Sequence, residues 1–177
     1  VSRFIYEKSV VNTTIAAPFR EYKTVVAPEW IDANNHMNVL YYSHVIFGAH
    51  AMFSRHLGIG EDYVHATGCG KSVVESHIVY ERELLRGDRI EVASRLLGVG
   101  DKRVHFYHEI FNVDRGYRAA VGEQLDIHVD LNTRRASPFP HAMRARLEAI
   151  AQVHAQLPAA DKVGRRVTIE KPAQSAT

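Results

Sequence analysis

Cysteine is nearly absent. Cys69 is the single one in 177 residues, which removes an internal disulfide framework and any multi-cysteine zinc site. There is no apolar run near the ~18 residues of a membrane-spanning helix. The opening VSRFIYEKSVV has no apolar segment of the signal-peptide kind. Neither sign of charge dominates: 22 Lys and Arg face 20 Asp and Glu, a formal net charge of +2, which argues against a protein that coats nucleic acid. A chain with no membrane partner and no nucleic-acid partner, in a reducing cytoplasmic compartment, is expected. Residue 1 is Val, as expected of a trimmed chain or of one domain of a longer protein. At one domain per ~150 residues a single domain is expected, large enough to hide roughly 70% of its unfolded surface.

Several chemistries are missing as well. There is no Gly-x-Ser-x-Gly elbow, so a serine-hydrolase mechanism has no support. Gly68-Cys69-Gly70-Lys71-Ser72 imitates the end of a phosphate loop, but the leading Gly would fall at His65 and a strand pattern follows. His105 and His108 stand three apart on a strand pattern, so they point to opposite faces and form no local metal pair. Cys69 has no base beside it and reads as a loop thiol. No metal or redox cofactor is called for.

What is present is periodicity of two kinds. Tyr22, Thr24 and Val26 alternate with Lys23 and Val25, a short strand that Pro28 ends. Tyr42, Val45, Ile46, Ala49, Met52, Phe53 and Leu57 recur at three- and four-residue steps, the buried stripe of a helix. Asn38 fits its N-cap and Gly58 its C′ position. Gly48 in mid-helix costs ~1 kcal/mol relative to Ala, and a close approach to a sheet would explain it. Four strand patterns follow, divided at Gly87-Asp88, Gly98–Asp101 and Asp114-Arg115-Gly116. From 117 to 131 the odd positions are mostly apolar and the even ones mostly polar, which predicts that the odd face is buried. Met143, Leu147, Ile150 and His154 mark a second helix. The expected organisation is an N-terminal arm over 1–20, a domain over 21–157 and a loosely held tail over 158–177. A helix set against an antiparallel sheet is an α+β layer arrangement, with a sheet edge that pairing between copies would cover.

The chemistry concentrates in Asp32-Ala33-Asn34-Asn35-His36-Met37-Asn38. One carboxylate, three carboxamides and an imidazole stand directly before the long helix, whose N-terminus offers free N–H groups and a positive partial charge. That site suits the oxyanion of an attacked carbonyl. Asp32 could attack or activate water, with Asn34 and His36 positioning the reacting groups. The same residues could equally cap the helix and make Asx turns. Glu123 lies on the apolar face of its strand, either a buried acid or base or a structural ion pair. Glu75 could face substrate or an Arg across a dimer. Lys102, Arg103, Arg134 and Arg135 are candidate phosphate-binding cations or plain surface charges. Trp30, Tyr41 and Tyr42 could hold a quaternary ammonium by cation–π attraction or pack in the core.

The stretch Asp32–Tyr42 resembles the Asp-x-x-Gly-His-Val-Asn-Asn-x-x-Tyr signature of hotdog-fold acyl thioesterases of the 4-hydroxybenzoyl-CoA thioesterase type. Glu75–Glu83 with Gly87-Asp88, Asp101-Lys102-Arg103 and Glu123–Asp130 fit the same family. Pro28–Asp32, His36-Met37-Asn38 and Val129-Asp130-Leu131 are similar in particular to the betainyl-CoA thioesterases of carnitine breakdown. The likeness covers roughly residues 21–157. It implies an antiparallel sheet wrapped around one long helix, a homodimer or tetramer, and hydrolysis of an acyl-CoA without a cofactor. It implies that Asp32 is the catalytic nucleophile or general base and that the N–H near Val39 polarises the carbonyl. His36 and Asn38 then shape the turn. Plant acyl-ACP thioesterases use the Asn and His of an Asp-x-Asn-x-His stretch, and Asn34 and His36 fall on those positions. Substrate contacts are expected at Asn38, Val39, Tyr42, Glu75, Lys102 and Arg103. The usual Gly is Asn35 here, the residue that next best tolerates a left-handed turn. The alternatives are an acyl-ACP thioesterase and a non-catalytic acyl-CoA-binding module.

Overall fold

The computed structural model describes residues 15–169. Six strands and three helices follow one another: β1 (Phe19–Val25), α1 (Val39–Leu57), α2 (Glu61–Thr67), β2 (Cys69–Tyr80), β3 (Arg89–Val99), β4 (Arg103–Asn112), β5 (Tyr117–Asp130), β6 (Arg135–Ala136) and α3 (His141–His154). A 3-10 turn, Pro28–Trp30, joins β1 to the loop before α1.

The expected helix ends are where the chemistry puts them. Asn38 Oδ1 accepts from Leu40 N at 3.0 Å, and Gly58 takes the left-handed conformation at φ 78°, which it adopts without a Cβ penalty. Tyr42, Val45, Ile46, Ala49, Phe53 and Leu57 line the buried side of α1. A Cβ on Gly48 would lie 2.6 Å from the Tyr22 hydroxyl, so the close approach is to a side chain of β1.

The sheet runs β1-β3-β4-β5-β2, with β6 on β5, and every pairing is antiparallel. β5 outlasts β4, whose pairing stops at Arg103↔Ile127. β6 takes the freed edge at Val129 and Asp130. α1 lies across one face. Its N-terminal half packs with Val26, Met37, Leu84, Ile90, Val92 and Ile110. Its C-terminal half packs with Leu96, Val104, Phe106 and the Leu147–Ile150 side of α3. This is the hotdog arrangement, and β2 forms one lateral edge of it.

Three expectations need correction. The buried face of β5 is the even one: Gly122, Gln124, Asp126 and His128 point in beneath α1, while Leu125, Ile127 and Val129 are half-buried on the outer face. The alternation of hydrophobicity was inverted because the inner polar groups find partners there, Asp126 with His50 and Lys71 and His128 with Tyr63 and Ser137. The tail is held as far as Gly164. Asp161 accepts from Arg118 and Tyr107 on the outer face, Lys162 pairs with Glu81, and Gly164 N donates to Glu123 Oε2 at 2.8 Å. β1 already begins at Phe19, inside the span assigned to the arm, whose residues 1–14 lie outside the described residues. The helix α2 and strand β6 were not anticipated, each being too short to show a period.

Candidate active site

The loop before α1 is a tight hairpin. Asn35 N donates to Asp32 O at 3.0 Å and Asp32 N to His36 O at 3.1 Å, with an isolated bridge between Ile31 and Met37. Asn35 sits at φ 63°, the left-handed position that a type I turn with a bulge requires. Asn therefore serves where the related signature has Gly. Asn38 N donates to Trp30 O at 2.9 Å and Met37 N to Leu84 O at 2.7 Å. Met37 is buried in the core. These bonds strap both arms of the hairpin to the start of α1.

Asp32 is partly exposed at the tip. Its Oδ1 accepts from Asn34 N at 2.8 Å, and among the described residues its Oδ2 takes no hydrogen bond. Asn34 thus serves Asp32 through its backbone; its side chain is exposed. His36 Nδ1 is 3.9 Å from Asp32 Oδ1 and 3.4 Å from Met37 O, so the imidazole stands beside the carboxylate without bonding it. At the helix N-terminus Leu40 N is satisfied by the Asn38 side chain and Tyr41 N by Asn38 O. Val39 N is one of the first-turn donors for which a helix has no internal acceptor. A free carboxylate oxygen, a helix-end N–H and an adjacent imidazole are the groups that carbonyl attack needs.

The structure brings Asp32, Asn34, His36, Asn38 and Val39 together and separates the rest. Tyr42 is a core residue, packed edge-on against Tyr80 at 5.1 Å, with its hydroxyl donating to Arg82 O at 3.4 Å. Burial pushes its pKa up to about 12. The residue is 4% exposed in the single chain. Glu75 is exposed on the outer face of β2, opposite Leu125, next to the bulge at Val74. Lys102 and Arg103 lie in and after the β3–β4 turn, at the far end of α1, a helix roughly 28 Å long. Lys102 Nζ donates to Ala136 O at 3.5 Å. Arg134 and Arg135 share that end. Glu123 is a structural partner: its Oε1 lies 2.7 Å from His105 Nε2. Trp30 and Tyr41 stack on each other at 5.2 Å, which covers one face of each ring. Sequence reasoning missed the buried group of His50, Lys71, His108 and Asp126. Its signal was a strand whose polar residues sit in register with each other and with Lys71, and this reads as a solvated face until the helix is in place.

Residues 26–147 match the model of the thioesterase-like superfamily. The chain belongs to that superfamily. It is 35% identical over 144 residues to the betainyl-CoA thioesterase of Pseudomonas aeruginosa, covering 81% of this chain and 91% of that one. It is 36% identical over 142 residues to an L-carnitine dehydrogenase/betainyl-CoA thioesterase of Agrobacterium fabrum, 80% of this chain but 29% of that longer one. Among solved structures, a Staphylococcus aureus protein in complex with CoA superposes with a TM-score of 0.79 at 21% identity, over 89% of this chain and 99% of that one; that likeness is one of fold. The chain is a thioester hydrolase of hotdog fold. No helix among the described residues is long and apolar enough to cross a membrane.

Proposed function

We propose that this thioesterase hydrolyses short polar acyl-CoA thioesters, with betainyl-CoA the first to test, and that it works as a dimer or higher oligomer joined through β2. The observation that carries the catalytic part is the Asp32 turn strapped to the N-terminus of α1. Asp32 drives attack on the thioester carbonyl, by its own Oδ2 or by taking a proton from water. The oxygen that becomes anionic is met by Val39 N–H and the positive helix end. If water attacks, the C–S bond breaks to give the free acid and CoA thiolate, which takes the proton that Asp32 removed; if Oδ2 attacks, the same C–S cleavage leaves an acyl–Asp32 anhydride that a water molecule then hydrolyses, giving the free acid, the Asp32 carboxylate and the proton that CoA thiolate takes up. Asn34 N–H holds the carboxylate in place, and His36 is near enough to orient water.

The oligomer reading is supported by what β2 leaves open. It is an edge strand of 12 residues, and such an edge invites pairing. Val73, Val74 and Tyr80 on it, and Leu40 and Phe47 on α1, are exposed apolar groups. Antiparallel pairing about a two-fold axis between Val74 and Glu75 covers them and sets Glu75 of one copy beside Val74 of the other. It also brings the Lys102–Arg103 end of one protomer to the side where the other holds Asp32, and there these cations face the phosphates of CoA.

The test is release of free thiol from a panel of acyl-CoAs and acyl carrier proteins by wild type and Asp32→Asn, with the mass in solution measured alongside. Turnover on a polar acyl-CoA that falls at least about 10²-fold in the variant is expected. Faster turnover of the carrier-bound acyl group would move the substrate to the carrier protein. Binding without thiol release would refute catalysis.

A further inference from the structure

Beneath α1, six polar side chains meet from five elements: His50 on α1, Lys71 on β2, Ser94 on β3, His108 on β4, and Gln124 and Asp126 on β5. Lys71 Nζ donates to Asp126 Oδ2 at 2.6 Å and also abuts His50 Nε2. His50 Nε2 lies 2.9 Å from the same carboxylate oxygen. His50 Nδ1 is 3.3 Å from His108 Nε2, and His108 Nδ1 is 2.8 Å from Ser94 Oγ. Among the described residues, Asp126 Oδ1 and Gln124 Oε1 are buried without a partner, as is Ser54 Oγ one turn along α1 from His50. An apolar filling of such a space is commonly as stable or more so, and orphaned buried acceptors call for an explanation. The Asp32 site of the same chain makes no use of the network, because Lys71 is at the Cys69 end of β2 and Asp32 is at the other end of α1. Lys71, with its side chain 13% exposed, is where the network reaches the surface, and it does so on the edge strand.

Pairing β2 with its own copy reverses that geometry. The Cys69–Lys71 end of one strand then runs beside the Ile78–Tyr80 end of the other. The Tyr80 ring packs on Tyr42, in the first turn of the helix that begins at Val39. The network of one protomer thus borders the helix N-terminus of the other.

We infer that Lys71, supported by Asp126 and His50, forms the acyl-end wall of the other protomer's Asp32 site and selects acyl groups with a hydrogen-bond-accepting head over aliphatic ones. The inference rests on the thioesterase and β2-pairing readings above. Asp126 Oδ2 takes one of the three Lys71 N–H donors, which leaves the ammonium able to donate to an acceptor at the acyl head. Asp126 offsets the charge of the ammonium from behind, so what the wall presents at the surface is the Lys71 N–H donor. An alkyl head would desolvate these groups and return no hydrogen bond or electrostatic contact.

The experiment compares kcat/KM for acetoacetyl-CoA, whose head carries a carbonyl acceptor, and butanoyl-CoA, its aliphatic counterpart of equal chain length, in wild type, Lys71→Met and Lys71→Arg. The polar-to-aliphatic ratio is expected to fall about tenfold or more in Lys71→Met and to stay near wild type in Lys71→Arg. Dimers of differently tagged chains then assign the contribution. In a dimer of an Asp32→Asn chain with a Lys71→Met chain, the one live site faces the intact Lys71, and the wild-type ratio is expected. In a dimer of wild type with the double variant, the live site faces the protomer lacking Lys71, and the lowered ratio is expected. The reverse pattern, or one ratio throughout, would overturn the inference while leaving thioesterase activity intact. A monomer in solution, or no thiol release from wild type, would overturn it together with the reading beneath it. Should Lys71→Met fail to fold by circular dichroism, Asp126→Asn takes its place in the same mixed dimers, with the same expected and refuting ratios.

Discussion

Gly122 offers a test of how α1 is seated. It lies on the buried face of β5, and a Cβ built there would stand 2.5 Å from Ile46 Cδ1 and 3.3 Å from its Cγ1. Ile46 is 1% exposed, so its methyl has little room to withdraw. Gly122→Ala therefore overpacks the helix–sheet contact, an effect of ~1–3 kcal/mol, offset by ~0.4–1 kcal/mol from the stiffer unfolded chain. A net loss of about 1–2 kcal/mol is expected, a fall in Tm of roughly 2–8 °C for a domain of this size. Ile46→Val alone removes the clashing Cδ1 and costs ~0.5–1.5 kcal/mol. In the double variant the new methyl fills part of the space that Cδ1 vacates. The two changes should therefore couple favourably by about 1 kcal/mol or more. Urea unfolding of wild type, both single variants and the double, at one protein concentration, reads the coupling directly. Additive losses within about 0.3–0.5 kcal/mol would refute the direct seating of α1 on Gly122. Because the same contact sets the height of the helix whose N-terminus faces the substrate, kcat should fall in Gly122→Ala and recover in the double variant.

Asn38→Ala removes the cap on Leu40 N. It should cost about 1 kcal/mol in urea unfolding and lower kcat more than it changes KM, since Asn38 also orders the turn that carries Asp32. Acid should destabilise the fold early. Burial holds His50, His108 and His154 below their ordinary values, so the unfolded chain binds protons that the folded chain refuses. That stability is fully present above the unfolded value near pH 6.5 and is lost as pH falls below it, at up to about 1.4 kcal/mol per pH unit for each histidine. Urea midpoints between pH 5 and 7.5 should show this slope, and His108→Gln should flatten it; an unchanged slope would show that His108 is not the neutral buried group described here.

The strongest local signals were also the most faithful. The stripe from Tyr42 to Leu57, with Asn carrying a side-chain acceptor before it and Gly after it, names a helix and both its ends, because period and capping act within one turn. The Asp32–Asn38 hairpin was legible for the same reason: its hydrogen bonds span five residues, and Asn35 meets the one backbone demand that Gly would have met. Strand β5 misled because alternation reports only that two faces differ. Which face turns inward depends on partners far along the chain, and the inward polar face of β5 is matched by His50, 76 residues from Asp126, and by Lys71, 55 residues away. The tail misled likewise. Asp161 and Lys162 look like solvent residues until the outer face presents Arg118, Tyr107 and Glu81 to them.

The sequence alone therefore determined the α+β class, the long helix, the strand-rich middle and the position of the carboxylate at a helix N-terminus, since each follows from contacts between near neighbours. Tertiary structure alone decided that β2 crosses past β3 and β4 to become an edge and that Lys102 and Arg103 stand at the opposite end from Asp32. It alone gathered His50, Lys71, His108 and Asp126 beneath one helix. Those outcomes are set by sheet order and by which faces can satisfy their buried polar groups. They depend on pairings between distant segments that no local pattern encodes.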